Sequence, residues 1–218
     1  ELRVTTGLKI VAVEVLRDDG GPESIKALLN TASRELGEVR DFAQKSLAVM
    51  DRGAVLLLLL PMLEPSAAPA DALTAIEILR QGRLPATNEA LRRALDHKDL
   101  DVQASACRAL GELGDVSALP RLEKAAVAFE GVVAAAAIEA VTRLRRNDPD
   151  WRERLLHMTH AQRPEIRLAA AESLASLGDP TLLSVLVALL DDRDWRVREA
   201  AVDGLSQLRV REAVGPLI

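Results

Sequence analysis

The residues of this 218-residue chain that could do chemistry are three histidines, one cysteine, a knot of arginines and a recurring column of carboxylates. Glu153, His157 and His160 fall at i, i+4 and i+7, on a helix face opposite an apolar stripe of Trp151, Leu155 and Met158. Imidazole and carboxylate at that spacing could ligate zinc or another transition metal. No fourth ligand lies nearby in sequence and the site would open to solvent, so no metal and no cofactor are expected. Cys107 needs a neighbouring base to act as a nucleophile, and His97 is ten residues away on another element, so a small buried hydrophobe is the expected role. Arg143, Arg145, Arg146, Arg152 and Arg154 could meet phosphates. Asp148, Asp150 and Glu153 interleave with them, and no Tyr or Phe stands near for base stacking. There is no Gly-rich phosphate loop and no Ser elbow, so the expectation is a non-enzymatic protein.

Composition narrows the class. A net charge of −5 disfavours nucleic acid and anionic membrane. One cysteine cannot form an internal disulfide, which fits a reducing, cytoplasmic setting. The chain opens at Glu1 without an export signal and without Met, which suggests an excised or processed piece. An Ala- and Arg-rich composition with no Tyr suggests a bacterial gene. The run AVLLLLLPML, Ala54 to Leu63, is half the length of a membrane span, about 20 residues, and contains Pro61. It reads as a helix buried on all sides rather than a membrane segment.

The elements that hold these residues repeat. Units start near Leu8, Val39, Asp71, Val102, Val133, Ile166 and Val197, with steps of 31, 32, 31, 31, 33 and 31 residues. The fifth position is Ala12, Ala43, Ala75, Ala106, Ala137, Ala170 and Ala201, and the ninth is Leu or Val throughout. Positions 1, 5, 9 and 12 make one helix stripe. A second apolar segment lies between successive stripes, and LGDV at Leu113, LGDP at Leu177 and RNDP before Asp150 supply C-cap Gly, N-cap Asp and first-turn Pro. Each unit is therefore a helical hairpin, and no sheet is expected.

DxxVRxxAxxAL followed by LGD resembles the HEAT repeats, of the short bacterial phycobilisome-lyase HEAT-like type, over essentially the whole chain. The resemblance implies one all-α domain over residues 1–218, a right-handed solenoid of about seven hairpins whose second helices line the concave side. The family's Arg after the first stripe residue is matched by Arg40, Arg167 and Arg198 and conservatively by Lys9, but Ala72, Gln103 and Ala134 replace it, so a side-chain ladder should break mid-chain. The chain opens on a second-type helix and stops at Ile218 inside a first-type one. Neither end reads as a polar cap, so a longer parent or pairing through the ends is expected.

Position seven of each unit should face the groove: Glu14, Lys45, Glu77, Arg108, Glu139, Glu172 and Asp203. The expected site is an acidic ridge, carried chiefly by Glu77, Glu139, Glu172 and Asp203, that meets a basic protein or peptide. Ile76, Ile138 and Val202 (with Val13) supply apolar contact. The same residues would equally make an ordinary solvated helix face. Trp195, just ahead of the last repeat start, is expected to cap or pack that junction. The function read from this is a protein-binding scaffold or adaptor. A bilin lyase-like chromophore-attachment factor acting as a heterodimer, which the family resemblance implies, and a nucleic-acid binder are the alternatives.

Overall fold

A computed structural model describes residues 2–50, 52–83, 87–128 and 131–208. The described chain is helix joined by short links, with no strand among the described residues. In order the helices are α1 (Leu2–Asp19), α2 (Pro22–Arg34), α3 (Glu38–Val49), α4 (Arg52–Leu59), α5 (Pro69–Gly82), α6 (Asn88–Ala94) and α7 (Leu100–Glu112). There follow α8 (Leu119–Ala128), α9 (Gly131–Leu144), α10 (Pro149–Met158), α11 (Pro164–Leu177), α12 (Leu183–Leu189) and α13 (Trp195–Leu208). All seven expected repeat starts fall in odd-numbered helices. The first-type helix expected to run to Ile218 lies outside the described residues.

Contacts divide the chain into two compact units, Glu1–Leu113 and Gly114–Ile218. In the first, α1, α3, α5 and α7 pack each on the next, with α2 against α1 and α3, and α6 against α7. In the second, α9, α11 and α13 form the same kind of row, backed by α8, α10 and α12. At several links the sequence itself stops one helix and starts the next. Gly114 and Gly178 take the left-handed backbone, at φ 74° and 65°, where a side chain would strain the turn. Asp99 accepts from the amides of Asp101 and Val102, and Asp148 from those of Asp150 and Trp151, which caps α7 and α10.

The alanine column behaves as the spacing predicts in six of its seven members: Ala43, Ala75, Ala106, Ala137, Ala170 and Ala201 are fully enclosed. Ala12 is exposed, as are Leu8, Val11 and Val15, because no helix among the described residues precedes α1 to cover that stripe. Close approach is most severe at Gly204 of α13, where an added Cβ would stand 2.7 Å from the Ala175 Cβ.

Two expectations are corrected. The run Ala54 to Leu63 is not sealed on all sides. Val55, Leu59 and Leu63, four residues apart, are buried, while Leu57 is 75% exposed and Leu60 39%. Its neighbours cover one stripe of α4 and of the 3₁₀ turn Leu60–Leu63, and the outer leucines face water. The ladder is also less broken than its sequence implies. The position-two side chain donates to a carbonyl of the preceding link: Arg40 to Glu35, Arg198 to Asp192, and Arg167 to Ala161 and Gln162. Gln103 does the same, its amide donating to the His97 carbonyl at 2.6 Å. Only Ala72 and Ala134, both fully buried, interrupt the series, whereas Lys9 pairs with the Glu35 carboxylate instead.

Arg167 is the strongest rung. Its guanidinium grips Asp192 with two 2.8 Å bonds and is almost wholly buried. That bidentate pair leaves neither charge unmet, the condition under which an interior ion pair is tolerated.

Candidate functional site

The repeat register carries position seven onto the odd-numbered helices, and the structure then gives its members different partners. Glu77 of α5 holds Arg80 at 2.7 Å and also accepts from Gln81, while Arg80 reaches Glu112 of α7 at 2.8 Å. Burial pushes the Glu77 carboxyl up, but the Arg80 and Gln81 hydrogen bonds and the Arg80 charge outweigh it and hold it below the usual range. The same contacts, Glu77 first and Glu112 second, raise Arg80. Glu139 of α9 pairs with Arg143 at 2.9 Å. Arg108 of α7 is exposed, as are Glu14 and Lys45.

Glu172 of α11 and Asp203 of α13 are exposed and have no ion-pair partner among the described residues. Partial desolvation, and secondarily the nearby Glu139 charge, push the Glu172 carboxyl above its ordinary value. That combination leaves negative potential unneutralised on this stretch of the face. Of the expected apolar contacts, Ile76 and Ile138 are sealed in the interior and cannot touch a partner, as is Val13. Val202, 39% exposed, remains on the surface.

Between α11 and α13 lies a cleft of about 420 Å³. Leu168, Ala175 and Ala200 lie along it, and Glu172, Glu199 and Asp203 bring carboxylates to it. Trp195 lines it too and is 61% exposed, so it does not pack the repeat junction as its sequence position suggests. Nothing in the described chain covers the indole. Arg196 is the only described cation in the lining, and Asp194 holds it through two hydrogen bonds, at 3.1 Å and 2.9 Å. Sequence reasoning missed Glu199 and the exposure of Trp195. The available signal was their spacing with Asp203, at i, i+4 and i+8 on one helix.

The other candidates resolve into structural roles. Glu153 and His157 approach only to 3.9 Å, both well exposed, and no group of three metal-capable side chains occurs among the described residues. His160 lies instead in a cleft of about 570 Å³ beside the satisfied Arg167–Asp192 pair. Cys107 is buried and forms no disulfide. The arginine knot is committed internally. Arg143 binds Glu139, Arg145 binds Glu123 and Asp148, Arg152 binds Asp179, Arg154 reaches Glu123, and Arg146 donates to the carbonyls of Ser176 and Leu177. Trp151 is core, its indole N–H donating to Thr142 at 3.0 Å. No helix among the described residues is long and apolar enough to cross a membrane.

The family model for HEAT repeats matches residues 56–142 and 128–206, more than half of the chain. The chain belongs to the HEAT-repeat family. Among solved structures, YibA of Escherichia coli is similar at 19% identity and a TM-score of 0.57, over 94% of this chain and 77% of that one. The complex of CpcE and CpcF of phycocyanin lyase from Nostoc sp. PCC7120 contains a chain similar at 17% identity and a TM-score of 0.51. That match covers 100% of this chain and 88% of that one. At these identities the likeness speaks for the fold. No curated protein matches significantly.

Proposed function

We propose that this HEAT-repeat chain is a non-enzymatic scaffold that holds a protein partner against the face of its odd-numbered helices. One observation carries the reading: Glu172, Glu199 and Asp203 stand exposed around a cleft beside an exposed tryptophan, with no ion-pair partner among the described residues, while Glu77, Glu139 and most of the arginines are tied up internally. Charge left unneutralised beside an apolar floor is the arrangement of a recognition surface rather than of a fold-stabilising network. The acidic ridge thereby narrows from the full column to its part on α11 and α13. A repeat architecture suits this work, because each hairpin needs only its neighbours for stability and leaves its outer surface available.

The test is capture of a partner by the immobilised chain, its identification, and calorimetry with the purified protein. Charge reversal at Glu172 and Asp203 together should weaken binding by roughly tenfold or more and flatten its salt dependence. Unchanged affinity would return these carboxylates to a solvated face.

A lyase-like role has one support, the fold likeness to a chain of the phycocyanin lyase complex. That likeness also lends weight to a protein partner, since the similar chain was solved as part of a complex. Likeness of fold is a weak warrant for chemistry. Bilin binding by the purified chain, alone or with an identified partner, would favour the lyase role.

A further inference from the structure

We infer that the cleft between α11 and α13 is a seat for arginine side chains of an extended peptide segment, stacked on Trp195 and paired with Glu199, Asp203 and Glu172. The inference rests on the scaffold reading above and specifies the partner chemistry.

Three features select a flat cation. Trp195 presents a bare indole, and a guanidinium over such a ring gains from the ring quadrupole and from stacking. The three carboxylates have no described counter-ion, and the one described cation in the lining, Arg196, is already paired with Asp194. An anionic ligand would meet net repulsion there, with three carboxylates against that one paired guanidinium. A purely apolar ligand would strip water from carboxylates and leave them unpaired, which is costly.

The spacing selects an extended segment over a lone small molecule. Trp195, Glu199, Asp203 and Gln207 recur every four residues along α13, and all four line the cleft. Four residues of helix advance about 6 Å. Alternate side chains of an extended strand are about 6.6 Å apart. Arginines at every second position would therefore fall in step with the recognition residues, one over Trp195 and the next two at Glu199 and Asp203. Glu172 on α11 closes the opposite wall.

The experiment uses the whole chain and two synthetic peptides, acetyl-RARARAR-amide and its glutamine counterpart, followed by tryptophan fluorescence and by calorimetry at low salt. Expected is at least roughly tenfold tighter binding of the arginine peptide, with a change in Trp195 emission. Trp195→Ala should lower affinity several-fold, and Glu199→Gln with Asp203→Asn should remove most of the salt dependence. These positions are on the surface, and circular dichroism checks that each variant folds.

Equal affinity for the two peptides, or unchanged arginine-peptide affinity in Trp195→Ala, overturns the inference. Self-association through the cleft, seen as a dimer in sedimentation that Trp195→Ala dissolves without arginine-peptide binding, also overturns it in favour of a second copy. A native partner lost on charge reversal at Glu172 and Asp203, with no preference for the arginine peptide, leaves the scaffold reading standing and sinks this one alone.

Discussion

Glu77 and Glu172 occupy the same repeat position on equivalent helices, yet one is a structural clamp and the other is uncommitted. Glu77 is held by Arg80, and through Arg80 it is tied to Glu112 on the next odd helix. Glu172 has no cation among the described residues and feels instead the charge of Glu139. A column in a repeat sequence is thus a statement about geometry alone. What the side chain does depends on whether a cation stands one turn on: Arg80 follows Glu77 at i+3 and Arg143 follows Glu139 at i+4, whereas Ala175 and Ser176 follow Glu172. Within Gly114–Ile218 the same contrast recurs between Asp192, locked by Arg167, and Asp203, which has no ion-pair partner among the described residues.

The contrast between committed and uncommitted carboxylates can be pushed hardest at Arg167. Arg167→Ala leaves the part-buried Asp192 without its cation, though still accepting from the Asp194 amide, and should cost about 3 kcal/mol, the low end for a broken buried pair. Arg40→Ala, which removes a single bond to the Glu35 carbonyl, should cost about 1 kcal/mol. Chemical denaturation of both variants measures the difference, and equal losses would mean that Asp192 does not depend on its clamp.

A smaller effect should follow from converting the first kind of carboxylate into the second. Arg80→Met should lower stability by at most about 1 kcal/mol, since the pair is part-exposed. It should also let the Glu77 carboxyl rise in carboxyl-resolved NMR titration. A Glu77 carboxyl that stays low would show that Gln81 and the helix suffice.

The smallest effect belongs to Glu172→Gln, and it is read in pH. The folded state resists ionising Glu172, so what this group contributes is greatest when protonated and is lost as pH rises through the ordinary carboxylate range. Asp192 lies below its ordinary value chiefly through its Arg167 bond, and Asp194 is held down to about 2 chiefly by its Arg196 bond. Their contribution is present above the ordinary value and lost as pH falls toward 2. Glu172→Gln should therefore flatten the decline on the alkaline side of about pH 4 while leaving the acid limb unchanged. A variant with an unaltered profile would remove the strained carboxylate from the contrast.

The architecture was legible because a period near 31 residues imposes itself on many columns at once, and a buried alanine at position five is a steric demand visible in sequence. Two things were not legible. The run Ala54 to Leu63 announces its hydrophobicity but not how many neighbours reach it, and Leu57 is left facing water. The ridge announced its carboxylates but not their counter-ions, since Glu112 lies 32 residues beyond Arg80. Trp195 misled for a related reason. A tryptophan beside a repeat start is usually packed, and only the row of helices shows that nothing among the described residues lies over it. Gln103 was misjudged because an amide replacing a guanidinium reads as a loss, although it reaches the same link carbonyl.

The placement of the two tryptophans has a practical corollary. Both lie within Gly114–Ile218, and the chain contains no tyrosine, so near-ultraviolet light addresses that half while Glu1–Leu113 is optically dark above the phenylalanine band. A melting curve followed by emission alone would record one unfolding event whether the halves melt together or apart. Calorimetry, which sees every helix, supplies the missing count.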